Sequence, residues 1–169
     1  KKISIDSSTM MNKIFEFIEA KKIFNLKNAN LSIIIHPESF VHAIIYFKGD
    51  LIKFLAHKTD MSIPILNSLG IKKNSIRKVN KQQIKQINNI QFQLPKINNF
   101  PLLRLIKIIP EHDSYFETIL ITMNDYLVDK YLKSKISYQS IHKNLIKFMK
   151  KPYFKKYYKL KPKNIYVIK

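Results

Sequence analysis

Residues 4–20 read SIDSSTMMNKIFEFIEA, and the interpretation of the whole chain turns on this stretch. Ile3 and Ile5 alternate with Ser4 and Asp6, which predicts a short strand, and Ser7, Ser8 and Thr9 then offer hydroxyls where a helix begins. The spacing predicts a helix from Thr9 to Phe24. Met11, Ile14, Phe15 and Ile18 recur at three- and four-residue intervals as a buried stripe, while Asn12, Glu16 and Glu19 fall on or near another face. A helix N-terminus carries unpaired N–H groups and about half a positive charge, so a phosphate held by Ser7, Asn12 and Lys13 sits where the backbone favours an anion. Glu16 lies four residues beyond Asn12, about 6 Å along the axis. That separation suits a small sugar phosphate, its phosphate at the helix mouth and its hydroxyl oxygens meeting a cation on the carboxylate. Taken singly, these residues have blander readings: a hydroxyl before a helix is usually a cap, and a Lys, Glu pair three apart is usually a solvated contact.

The longer string decides between them. SIDSSTMMNKIFEFIEA resembles the signature of the 1-deoxy-D-xylulose 5-phosphate reductoisomerase family, and further matches follow in order: IHPESFVH at Ile35 to His42, the Asp60, Met61 pair followed by Ile63, Pro64 and Ile65, and FPLLRL at Phe100 to Leu105. The likeness is strongest over residues 1–67 and collinear beyond. Ordered matches of this kind are more specific than any one motif. The resemblance implies that Ser7, Asn12 and Lys13 contact substrate around its phosphate, and that Glu16 is one of three carboxylate ligands of a divalent cation, Mg²⁺ or Mn²⁺ with Co²⁺ as a further candidate. It also implies that Ser39 and His42 lie beside the substrate, that Met61 approaches the nicotinamide of NADPH, and that the enzyme is a homodimer.

The chemistry that the resemblance implies explains these residue types. A ketose phosphate rearranges by retroaldol cleavage and recombination, and NADPH then reduces the aldehyde, as in the non-mevalonate route to isoprenoids. Negative charge moves onto oxygen, which a hard cation on carboxylates stabilises. The phosphate grip, remote from the reacting carbons, positions them and helps exclude water. Lys13 and Glu16 are therefore the expected catalytic pair. With two glycines, Gly49 and Gly70, the chain has no phosphate-cradling GxGxxG loop. The resemblance accordingly implies the C-terminal part of a longer enzyme whose dinucleotide site, other two metal ligands and mobile loop lie upstream, with the family's final amphipathic helix lacking before Lys169. A homologue that has lost catalysis and kept the fold is the alternative. The implied location is a bacterial cytoplasm or a plastid-like organelle.

Composition bounds the rest. The chain has 169 residues, 46% of them hydrophobic, enough for a sizeable core. Apolar runs such as 102–109 are too short or too interrupted by charge to be a membrane span of about 20 residues. The absence of cysteine excludes disulfides and thiolate chemistry. A formal charge of +20 invites a nucleic-acid reading, as does KKPYFKKYYKLKPK at Lys150 to Lys163, where cations interleave with aromatic rings. Against it, Lys, Asn, Ile, Tyr and Phe are abundant throughout, as AT-rich coding produces, and Arg occurs only at Arg77 and Arg104 although it is the better bidentate reader of phosphate and bases. The excess charge would still steer an anionic substrate.

The expected fold is α/β (α+β) in the catalytic part, a small sheet with packed helices, followed by an all-α C-terminal domain. Residues 1–70 form the catalytic part with its phosphate and metal site, 71–99 a polar connector, and 100–169 the helical domain. Leu31 to Ile35, Val41 to Phe47 and Leu51 to Ala56 read as strands, the last two paired across Lys48, Gly49 and Asp50. Ser62 to Leu69 reads as a helix with Pro64 in its first turn and Gly70 after its end, and Gln91 to Leu94 as a short strand. Helical spacing covers Phe100 to Ile109, Phe116 to Leu132 and Tyr138 to Met149. His36, His57, His112 and His142 lack metal-ligand spacing, and Asp113 and Glu117 suit a helix start whatever the function. Asn124 and Asp125 resemble an Asn, Glu pair in the family, but Ile121, Thr122 and Met123 replace its small residues, so no role is assigned to them.

Overall fold

A computed structural model describes residues 1–71 and 80–162. Part of the expected connector, residues 72–79 with Arg77, and the end of the basic run at Lys163 lie outside them. Contacts divide the chain into two compact units, Lys1–Ile33 with Pro95–Lys169, and Ile34–Leu94.

The first unit is helical. It contains α1 (Lys2–Ser8), α2 (Met11–Ile23), a 3₁₀ segment (Pro101–Ile108), α5 (Phe116–Leu132), α6 (Tyr138–Met149) and the short α7 (Pro152–Lys155). The second holds β1 (Val41–Tyr46), β2 (Ile52–Ala56), α3 (Ser62–Ser68) and α4 (Lys81–Asn88). The described chain is thus helix-rich with one two-stranded sheet. No described helix is long and apolar enough to cross a membrane.

Two long helices form where expected because their stripes are unambiguous. In α5, Phe116, Leu120, Leu127 and Val128 are buried at helical spacing, and in α6 Ile141, Leu145 and Met149. Ser137 caps α6 by accepting the Ser140 N–H. Beyond α5 the chain turns through Ser134 at φ +55°, with Ser134 N–H bonded to Tyr131 O and Lys135 N–H to Lys130 O, the paired bonds of a Schellman end. Gly70 at φ +71° ends α3 the same way, its N–H on Asn67 O and that of Ile71 on Leu66 O. α6 packs on α5 and on the 3₁₀ segment, and α2 on the 3₁₀ segment, around Met11, Ile14, Leu102, Leu105 and Leu120. Acids tie these pieces together. Lys22 pairs with Asp113 and Glu117, both at 3.3 Å, and the buried Lys21 reaches the Pro110 carbonyl and Glu111. Its Lys22 partner holds Asp113 below the usual carboxylate range; desolvation alone would lower Lys22, but the two carboxylates outweigh it and raise it.

Several expectations are corrected. The predicted strand over Ile3 to Asp6 is helix α1: Ile3 is exposed, and the buried positions are Ile5, Asp6 and Thr9, a helical and not an alternating set. The second helix starts at Met11, two residues later than predicted, because Met10 sits at φ +62° and breaks the chain between α1 and α2. Phe17, not Phe15, joins its fully buried stripe. Leu31 to Ile35 and Gln91 to Leu94 share a single antiparallel bridge, Ile35 with Gln93, and form no strand. The helix pictured on the small sheet belongs to the other unit, and the connector contains α4, started by a capping box between Asn80 and Gln83. The stretch 100–109 is 3₁₀ and not α-helix.

The hairpin follows its sequence signal. Tyr46 pairs with Ile52, Phe47 N–H bonds Leu51 O, and the turn passes through Gly49 at φ +84° and Asp50 at φ +64°. Both strands are largely exposed; Val41 is the buried hydrophobic residue of this unit among those described.

Two predictions follow from the helical unit. Leu120→Ala should cost about 2–5 kcal/mol in urea denaturation, and Ile121→Ala, next along α5 but 44% exposed, under about 1 kcal/mol; equal costs would mean the stripe is misassigned. Tyr158 donates to Met149 O at 2.7 Å and packs edge-on against Phe116, and burial pushes its phenol up to about 12. A phenol that ionises later folded than unfolded stabilises fully below an ordinary tyrosine value of about 10 and loses that contribution as pH rises toward the folded value. Between about pH 10 and pH 12 the native chain should therefore lose stability faster than Tyr158→Phe, read as the shift in urea midpoint; parallel curves would contradict this.

Candidate functional site

The reversal between α1 and α2 builds the expected phosphate end. Thr9, 1% exposed, donates from Oγ1 to Asp6 O and accepts the Met11 N–H, and Met10 N–H bonds Ser7 O. With the left-handed Met10 between them, these bonds fold the chain back so that Ser7 and Asn12 meet although five residues separate them. Asn12 Nδ2 donates to Ser7 Oγ at 2.9 Å. The Ser7 hydroxyl, accepting here, keeps its own proton for an incoming acceptor, and the Asn12 amide keeps its second N–H. Lys13 adds an ammonium one residue on. Two donors therefore meet at the start of α2, where the helix end favours an anion, with Lys13 next in the chain and its ammonium on Glu16.

One turn further, Lys13 Nζ meets Glu16 Oε2 at 2.7 Å, with side chains 47% and 56% exposed. The structure thus brings Ser7 to Asn12 and Lys13 to Glu16 and leaves all four accessible, away from the greasy face of the helix. Glu16 offers a second oxygen to a cation, but one carboxylate is not a metal site. Among the described residues no three His, Cys, Asp or Glu are grouped to hold an ion, so a complete ligand set is not formed by this chain's described residues.

Ser39, His42 and Met61 lie in the second unit. Ser39 is exposed at φ +51°, its N–H on His36 O. His42, on β1, contacts His57 O through Nε2 at 3.2 Å and stacks on the His57 ring, centroids 3.8 Å apart and 16° from parallel. A carbonyl only accepts, so Nε2 donates in this contact. Met61 is 70% exposed at the start of α3, where Asp60 Oδ1 accepts the Ser62 N–H.

The sequence reading missed the support beneath the site. Asp6 and Asn124 are buried, at 4% and 0% exposure, and Asn124 Nδ2 donates to Asp6 Oδ1 at 2.9 Å across 118 residues. Lys2 lies 3.9 Å from Asp6 and 2.5 Å from Asp125, whose hydrogen bond raises the lysine above its ordinary value. The signal was present: Asn124 stands four after Leu120 and three before Leu127, a polar residue on the buried stripe of α5. His57 escaped for a different reason, since its role depends on hairpin register.

Comparison with known proteins gives a single answer. The family model described as DXP reductoisomerase C-terminal domain matches residues 57–167, and a second, 1-deoxy-D-xylulose 5-phosphate reductoisomerase C-terminal domain, matches residues 1–24. The reductoisomerase of Pelagibacter ubique (strain HTCC1062) is 47% identical over 167 residues, covering 98% of this chain and 42% of that protein. That of Persephonella marina is 37% identical over 142 residues, covering 83% and 38%. Among solved structures, the Zymomonas mobilis enzyme in complex with NADPH superposes with a TM-score of 0.82 at 25% identity, over 99% of this chain and 43% of that one. A DOX-P reductoisomerase with fosmidomycin and magnesium gives 0.83 at 26%, over 99% and 42%. The chain spans about two fifths of the length of the relatives it matches. With one family description matched over 57–167 and another over 1–24, and with a relative 47% identical over 98% of this chain, the chain belongs to the 1-deoxy-D-xylulose 5-phosphate reductoisomerase family.

Proposed function

We propose that this chain supplies the phosphate grip and one metal ligand of an enzyme that converts 1-deoxy-D-xylulose 5-phosphate to 2-C-methyl-D-erythritol 4-phosphate, using NADPH and Mg²⁺ or Mn²⁺. The observation that carries the reading is the closure of Asn12 on Ser7 beside an accessible Lys13 and Glu16. Solved relatives are described with NADPH, fosmidomycin and magnesium, which supports the cofactors. On this reading residues 1–70 carry the phosphate and metal ligands, 71–99 connect, and 100–169 support them from behind. The enzyme is a homodimer in a bacterial cytoplasm or a plastid-like organelle.

Each residue has a separate task. Lys13 supplies the charge that attracts the phosphate, and exchanges Glu16 for substrate as it does so. Asn12 and Ser7 supply directional donors that fix which way the phosphate points, and so which carbons face the reducing agent. Freed from Lys13, Glu16 can turn its carboxylate to an ion completed by groups outside the described residues. His42, with Nε2 committed to the His57 carbonyl, offers Nδ1 to the substrate, and Ser39 a hydroxyl three residues before it. Met61, apolar and exposed, suits the flat face of a nicotinamide.

The basic, aromatic run near the C-terminus is a poor platform for stacked bases. Lys156 lies over the rings of both Tyr153 and Tyr157, at 4.7 and 4.9 Å, and Lys151 over Phe148, so the chain's own cations cover faces on which bases would stack.

In a full-length enzyme carrying this segment, Glu16→Gln should abolish metal-dependent turnover, and Lys13→Ala should raise KM about tenfold or more with a smaller fall in kcat. Because the Lys13–Glu16 pair is exposed, neither variant should lower stability by more than about 1 kcal/mol in thermal denaturation. Unchanged turnover in Glu16→Gln removes that residue from the mechanism; a large stability loss would make it structural.

A further inference from the structure

We infer that Asp6 and Asn124 are a positioning pair: α5 grips the turn between α1 and α2 through one buried hydrogen bond and thereby sets the Ser7–Asn12 contact. The functional half of this inference rests on the phosphate reading above; its structural half does not.

α1 has seven residues and buries only Ile5 and Asp6. A helix of that length is not stable alone, and apart from its buried isoleucine it is tied down by exposed contacts, Lys2 with Asp125 on α5 and Ser8 Oγ accepting from the Tyr138 hydroxyl on α6. The bond from Asn124 Nδ2 to Asp6 Oδ1 adds a buried, directional point of attachment. Burying a carboxylate is costly, and an apolar pair of equal size would pack there at least as well, so adhesion is a poor explanation for it. Direction is a better one. Asn124 Oδ1 is buried without a partner, and rotating the amide by half a turn would set that oxygen against the carboxylate, so the amide has one usable orientation.

The consequence reaches the site in two short steps. Ser7 follows Asp6 in the chain. On the other side, the Asp6 carbonyl takes the Thr9 hydroxyl, whose oxygen takes the Met11 N–H, and Asn12 follows Met11. Each member of the Ser7–Asn12 pair is thus one residue from a group that Asp6 holds. If α1 rolls, Ser7 moves away from Asn12 while the rest of α2, fixed by Met11 and Ile14 in the core, stays in place.

The test is a phosphate titration of the full chain followed by ¹H–¹⁵N NMR, reading the Ser7, Asn12 and Lys13 amides and the Asn12 side-chain NH₂. Asn124→Leu keeps the volume and removes the bond; at a temperature where it is folded it should bind inorganic phosphate about fivefold more weakly or worse, and its Asn12 NH₂ signals should move to those of a free side chain. Asp6→Asn is the milder version should Asn124→Leu fail to fold. The exchanged double variant, Asp6→Asn with Asn124→Asp, restores a carboxylate and an amide to the same place and should recover affinity to within about twofold. Leu145→Ala, destabilised through the core of α6, should leave both readouts unchanged, which separates positioning from mere loss of stability. Native-like Asn12 NH₂ signals in folded Asn124→Leu overturn the inference. If the native chain binds no phosphate, the phosphate reading fails, and the Asn12 signals still decide whether the pair positions the turn.

Discussion

The contact of Ser7 with Asn12 depends on a chain reversal that cannot hold itself. α1 is too short to be helical alone, and the reversal includes a methionine in the left-handed region, where a side chain is strained. The reversal persists because Ile5, Met11 and Thr9 are sealed into the core and because Asp6 is anchored on α5. The polar residues between these anchors are then forced outward. The accessible Ser7, Asn12 and Lys13 thus lie opposite a buried set, Ile5, Met11 and Thr9.

Charge is organised to the same end. Of the eleven acids in the chain, Asp6, Glu16, Glu38, Glu111, Asp113, Glu117, Asp125 and Asp129 stand within ion-pair range of a basic side chain. The chain's eleven acids stand against 31 Lys and Arg. The pairs that bridge elements, Lys22 with Asp113 and Glu117, and Lys21 with Glu111, align α2 with the start of α5. The formal charge of +20 gives the chain a field that draws in anions. A sugar phosphate and a dinucleotide are both anions of this kind.

The sequence made some elements legible and hid others for identifiable reasons. α5 and α6 were readable to the residue because their apolar stripes are long, and α6 also begins at a capping serine, Ser137. The hairpin was readable from Gly49 and branched strands on either side. α1 was misread because Ile3 and Ile5 imitate an alternation that only burial can refute, and Leu31 to Ile35 because β-branched residues predict a strand without naming a partner for it. In the candidate site, Ser7, Asn12, Lys13 and Glu16 were legible because a helix converts spacing into proximity. The Asp6–Asn124 bond and the His42–His57 stack were not, because they join positions whose closeness depends on tertiary packing and strand register.

The central claim is that the start of α2 grips the phosphate of a sugar. It is tested most directly by a crystal structure of a full-length enzyme carrying this segment, with its sugar phosphate bound. Phosphate oxygens should lie within hydrogen-bond distance of Ser7 Oγ, Asn12 Nδ2 and Lys13 Nζ, with Glu16 released from Lys13. A phosphate seated elsewhere, with Lys13 still closed on Glu16, would contradict the account.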